Sequence, residues 1–172
     1  MRTTRVIALP YDESWNSEFL KIKEEIEAAV GSLIIGVEHI GSTAVFGMFA
    51  KPCIDIDVVI EDYSTFEAVK SGLEAIGYFH EGDLGIKDRE AFGYSDKPSL
   101  YKHHLYVCPK DSAELHRHIK FRDFLRATPA AREEYSRIKE EAAHLYPDDI
   151  DGYINYKSPC IAKLYKACGL IK

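Results

Sequence analysis

"HIGSTAVFGMFAKPCIDIDVVI", residues 39–60, decides the fold. Its second half alternates apolar and acidic residues. Neighbours on a strand point to opposite faces. Ile54, Ile56, Val58 and Ile60 therefore share one face, and Cys53, Asp55, Asp57 and Val59 share the other. The isoleucine face is a core face. The aspartate face must be wet, paired or bound to a cation, because an unpaired buried carboxylate is very costly. Asp is depleted in strands, so two in one short strand need a reason. Their Cα atoms lie about 6–7 Å apart at a rise of ~3.3 Å per residue. Carboxylates on that spacing can converge on one divalent ion or hold two. The alternative is a solvated strand face whose aspartates are idle.

The first half supplies a neighbour. Gly41-Ser42 ends the preceding strand, where backbone N–H groups and a hydroxyl at a turn make a phosphate cradle. A phosphate cradle beside a two-carboxylate metal site is the anatomy of nucleotidyl transfer, in which metals neutralise a triphosphate and align the attacking oxygen.

Outward from this stretch, the apolar stripe Trp15, Phe19, Ile22, Ile26 and Ala29 predicts a helix from an Asp12 cap to Gly31. "LIIGVEHIG" reads as a strand. Ser64 and Glu67 suggest a capping box for a helix with a Phe66, Val69, Leu73, Ile76 stripe ended by Gly77. "YFHEG" and "SLYKHHLYVC" read as later strands, with residues 83–98 an unassigned excursion. From Ser112 the period turns helical: Ser112 to about Ala127, Thr128-Pro129 to about Tyr146, and about Asp151 to Cys168, with Pro159 expected to kink the last helix or shift its start. This is an α+β (mixed α/β) chain: one domain, with a sheet-containing core over 1–111 and a helical extension over 112–172 packed on it.

The bulk properties exclude several classes. No apolar run reaches the ~18 residues of a membrane span, and the N-terminus lacks a secretory pattern, so a cytoplasmic setting is expected. The net charge of −6 argues against a general polyanion binder. Cys53, Cys108, Cys160 and Cys168 have no zinc-like spacing and read as free core thiols. The histidines make no zinc site either: His116 and His118 lie about 200° apart on a helix, and His103 and His104 point to opposite strand faces. His39 and His80 read as core or edge residues.

Taken together, "YDESW", "VEHIGSTAV.G", "KPCIDIDVVI", "HHLYVC", "FRDFLRATP", "EYSRIK" and "Y..YK" resemble, in order and over nearly the whole chain, the GrpB family of the DNA-polymerase-β-like nucleotidyltransferase superfamily. The resemblance implies a nucleotidyltransferase-like mixed sheet with packed helices. It also implies phosphate binding at Gly41 and Ser42, Mg²⁺ (or Mn²⁺) at Asp55 and Asp57, and a nucleoside triphosphate with an unidentified acceptor as substrates. The related domain also occurs joined to dephospho-coenzyme A kinases, a link to coenzyme A metabolism. An extended nucleic acid is not expected, and the family name supplies no substrate. A non-catalytic nucleotide- or coenzyme-binding module is the alternative.

The chain departs from the superfamily at a third carboxylate usually carried on a later strand. The matching strand "KHHLYV" has no acid. If Leu105 and Val107 are core, His104 faces the aspartates as base or metal ligand. Lys157 is placed like the C-terminal lysines that contact triphosphates in the superfamily. Lys51 reads as a phosphate contact or a surface lysine. Arg122 reads as a phosphate clamp or a helix–sheet ion pair with Asp123, and Arg89 as acceptor-binding or exposed. Tyr135, Tyr146, Tyr153, Tyr156 and Tyr165 pack helices or line a groove where a base stacks.

Overall fold

The computed structural model describes residues 5–172; the first four residues of the N-terminal segment discussed above lie outside the described residues. The elements are α1 (Ser14–Val30), β1 (Gly36–Ile40), β2 (Ile54–Ile60), α2 (Phe66–Ala75), β3 (Tyr78–Gly82), β4 (Glu90–Tyr94), β5 (His103–Pro109), α3 (Ala113–Ala127), α4 (Pro129–Leu145) and α5 (Ile150–Ala167). The strands form one five-stranded mixed sheet in the order β1-β2-β5-β4-β3. β2 and β5 run parallel at its centre, and the other pairs are antiparallel.

The alternation in β2 builds the two faces as expected. Ile54, Ile56, Val58 and Ile60 are fully buried and pack with Leu105 and Val107 of β5. The stripes of α1 (Trp15, Phe19, Ile22, Ile26) and α2 (Phe66, Val69, Leu73) seal this face. Burying a side chain of this size stabilises by about 1.5–3 kcal/mol, so this layer holds the sheet. Val30, rather than Ala29, completes the stripe of α1.

Two local expectations are corrected. The turn before α2 is capped by Asp62, whose side chain accepts from the Ser64 backbone N–H, and no Ser64–Glu67 box forms. The aspartate precedes Ser64 by two residues and reaches the orphan N–H first. The excursion over 83–98 contains β4, whose adjacent buried residues Ala91 and Phe92 give no apolar alternation to read, and which is fixed by pairing with β3 and β5. α5 runs through Pro159.

The opposite sheet face is only partly covered. Near the end of β2, Val59 packs with Cys108 and Leu115 beneath α3. A separate cluster, with Val45, Met48, Leu125, Tyr135, Cys160 and Leu164, ties α3, α4 and α5 to the loop after β1. Between these patches the sheet stays open over Asp55 and His104. Among the described residues no helix is long and apolar enough to cross a membrane.

Candidate active site

Register brings the polar side chains together. In the parallel β2–β5 ladder Asp55 pairs with His104 and Asp57 with Tyr106. Leu105 and Val107 are core, so His104 does face the aspartates. Its Nδ1 lies 3.0 Å from Asp55 Oδ1. This carboxylate contact, helped by Cys53, pushes the His104 imidazole up to about 10. At the end of β1, Gly41 adopts φ +74°, the left-handed region. A Cβ there would stand 2.5 Å from Asp55 Oδ2. Glycine is what lets the turn close over the carboxylate.

This turn and these strands wall a cleft of about 240 Å³, lined by Gly41, Ser42, Thr43, Lys51, Cys53, Asp55, His104, Tyr135, Lys139, Tyr153 and Lys157. Gly41, Ser42, Lys51, Asp55, His104 and Lys157 are thus brought to one place, and two of the tail tyrosines join them. Lys139 was not singled out by the sequence reading. It is buried, contacts the Ser42 hydroxyl and lies 4.3 Å from the centre of the Tyr135 ring. Burial and the neighbouring Lys157 charge lower it to about 7. Burial, then Lys51, likewise lowers Lys157. Among the described residues no carboxylate forms an ion pair with Lys51, Lys139 or Lys157. A signal for Lys139 existed: Ala131, Tyr135, Lys139 and Ala142 form the buried stripe of α4, so a lysine occupies an apolar position.

Asp57 and Arg122 lie elsewhere. Asp57 is not on a wet face: it is fully buried behind the cleft wall, under α3. Its Oδ2 is 2.7 Å from His118 Nδ1, and His118 Nε2 is 3.1 Å from Glu114 Oε1. Burial raises the Asp57 carboxyl while His118 opposes the shift. His118 was also missed, though it stands on the sheet-facing stripe Leu115, His118, Arg122, Leu125. Arg122 forms the ion-pair alternative: it donates to Glu38, Asp123 and the His39 carbonyl. With Arg126, which grips the Ala44 carbonyl through two bonds, it brackets the Gly41–Thr43 turn. Arg89 stacks over Tyr106 at 4.3 Å, on the same sheet face as the aspartates.

Two observations bear on a divalent ion. Among the described residues, Asp57 Oδ1 is buried with no hydrogen-bond partner, an orphaned acceptor that a cation would satisfy. Ligand atoms of Cys53, Asp55 and His104 all lie within 4.8 Å of one another. The residues fit such an ion.

The GrpB protein family profile matches residues 5–167. The chain belongs to the GrpB family. It is 33% identical over 162 residues to the glutamate-rich protein GrpB of Alkalihalophilus pseudofirmus, covering 92% of this chain and 93% of that one. The crystal structure of the conserved protein GrpB from Enterococcus faecalis matches with a TM-score of 0.80 at 31% identity, over 94% of this chain and 96% of that one. The GrpB region spans less than half of some curated relatives. It covers 45% of the YqkA protein of Bacillus subtilis, and 44% of a dephospho-CoA kinase of Mycolicibacterium paratuberculosis at 26% identity. The GLD-2/RNP-8 complex matches with a TM-score of 0.56 at 10% identity over 78% of this chain and 55% of that one. At that identity only the α+β fold is shared.

Proposed function

We propose that this GrpB-family chain transfers a nucleotidyl group from a nucleoside triphosphate to an acceptor, in the cytoplasm, with the helices of 112–172 completing the cleft. The observation that carries the reading is the set of three lysines, Lys51, Lys139 and Lys157, gathered around Gly41-Ser42 and Asp55 with no carboxylate ion pair among the described residues. Lys51 is exposed, but Lys139 is buried with the half-buried Lys157 charge beside it, and burying like charges is expensive. A polyanion held there would offset the cost, and a triphosphate supplies the charge. Lys139 and Lys157 would take its non-bridging oxygens, Ser42 would orient one of them, and Tyr153 would offer a ring to the base. Asp55, backed by Asp57, would hold Mg²⁺ or Mn²⁺, which supplies charge neutralisation and alignment for in-line displacement. His104, where the superfamily has a carboxylate, is placed to orient Asp55 or take the acceptor proton.

A second reading has its own support. Asp57 is enclosed and the third carboxylate is absent, which suits a module that binds nucleotide or coenzyme without turnover. Likeness to a region of dephospho-CoA kinases makes coenzyme A derivatives reasonable ligands for that module. Pyrophosphate release with each of the four ribonucleoside triphosphates, with Mg²⁺ or Mn²⁺, separates the readings. Metal-dependent release lost in Asp55→Asn supports transfer. Thermal stabilisation by nucleotide without release, even with cell extract as acceptor source, supports the module.

A further inference from the structure

The four cysteines are not alike. Cys108 and Cys160 are embedded in apolar clusters, as core thiols should be. Cys53 is equally buried, at 4% exposure, but belongs to none of the apolar clusters. It stands just before β2, two residues ahead of Asp55 and so on the same face, with its sulfur within 4.8 Å of a ring nitrogen of His104. A thiol, a carboxylate and an imidazole thereby converge in the cleft, drawn from the residue before β2, from β2 itself and from the parallel strand β5 beside it.

We propose that Cys53, Asp55 and His104 form a three-ligand site for a borderline divalent transition metal, Zn²⁺ being the probe, with its fourth position open to the lysine-lined cleft. Bonds of about 2.0–2.3 Å to N, O and S in a tetrahedral site place ligand atoms roughly 3.3–3.8 Å apart. The Asp55–His104 pair, at 3.0 Å, is already near that spacing. The three donor atoms all lie within 4.8 Å of one another, so closing the site needs side-chain rotations and no strand movement. Sulfur and imidazole nitrogen suit Zn²⁺ or Co²⁺, whereas Mg²⁺ demands oxygen ligands in octahedral array. Three protein ligands with one position free is the pattern of zinc sites that act on a ligand rather than staple a fold. Lys139 and Lys157 line the same cleft, so an anionic oxygen that they hold would be a neighbour of that position. The site shares Asp55 with the proposed Mg²⁺ position, so the two ions compete for one carboxylate. The inference rests on the cleft being a metal site, and not on nucleotidyl transfer.

The test is titration of the metal-free full chain with Co²⁺ in the absence of nucleotide, followed by optical absorption, with Zn²⁺ as competitor. The expected result is a thiolate-to-cobalt band that Zn²⁺ abolishes, that disappears in Cys53→Ser and that persists in Cys168→Ser. In His104→Gln, whose side chain is half-exposed and tolerates exchange, Zn²⁺ should bind at least about 100-fold more weakly. That loss reaches the top of the 10–100-fold range typical of changes outside the ligand set. This variant also serves if Cys53→Ser does not fold. Absence of a thiolate band, its loss in Cys168→Ser, or unchanged Zn²⁺ affinity in His104→Gln would overturn the proposal. Mg²⁺-dependent pyrophosphate release without a thiolate band would sink this site and leave the transferase. A Cys53-dependent band in a protein that binds no nucleotide would do the reverse.

Discussion

Replacing Lys139 by Met should make the free protein more stable and the bound state weaker. Lys139 is 5% exposed and lowered from 10.5 to about 7. At about 1.4 kcal/mol per pH unit, keeping it charged costs roughly 5 kcal/mol as an upper figure. Met matches its stem and removes the charge. Substituting buried charges with apolar residues of similar volume stabilises by about 1–4 kcal/mol, and each kcal/mol is about 2–4 °C in a chain of this size. In the other direction, a charge-assisted hydrogen bond to phosphate contributes about 1.5–3 kcal/mol, so triphosphate affinity should fall roughly 10- to 150-fold. The sign with pH follows. Because the folded lysine loses its proton near 7 and the unfolded one near 10.5, the unfolded chain binds more protons between those values. Wild-type stability therefore gains from this group as pH rises through that window. Triphosphate binding requires the charged form, so affinity should decline by up to about tenfold per pH unit above 7. Both slopes should vanish in Lys139→Met. Scanning calorimetry and titration calorimetry across pH 7 to 9 measure the pair. A variant that is less stable yet binds triphosphate as tightly as wild type refutes the reasoning.

Other substitutions probe the same architecture. Gly41→Ala places a Cβ against Asp55 Oδ2 in a left-handed turn. It should cost about 1–3 kcal/mol and displace the carboxylate, read as a lower melting temperature together with lost metal binding. His118→Ala strips the Asp57 carboxyl of its His118 hydrogen bond and should destabilise by about 3–5 kcal/mol in urea titrations at pH 7. Burial raises the Asp57 carboxyl, so protonation favours the folded state and stability is lost as pH rises. The deficit of His118→Ala should shrink toward pH 4, and an equal deficit at both pH values would argue against a buried charge. Arg126→Met frees the Ala44 carbonyl and should weaken triphosphate binding with little change in far-ultraviolet circular dichroism. Undiminished binding would show that the turn holds its shape without that bracket.

The sheet was legible because β2 writes its two faces in alternate letters, and its aspartates named the site face before any coordinates. His104 followed from parity along "HHLYV". What stayed hidden depended on partners distant in sequence. Asp55 and Asp57 look equivalent in a D-x-D repeat, yet α3 crosses over one and leaves the other at a cleft, and only packing distinguishes them. Lys139 and His118 sit on helical stripes where apolar residues belong. Such a residue signals burial but not what it faces. Cys53 shared the aspartates' face, and its nearness to His104 depended on β5 lying beside β2.

The most direct test of the central claim is a crystal structure with a non-hydrolysable nucleoside triphosphate analogue and Mg²⁺. Phosphate oxygens should lie within about 3.2 Å of Lys139, Lys157 and Ser42, with the ion on Asp55. A triphosphate seated instead in the separate cavity lined by Tyr11, His39, Thr43, Arg126 and Arg132 would contradict it.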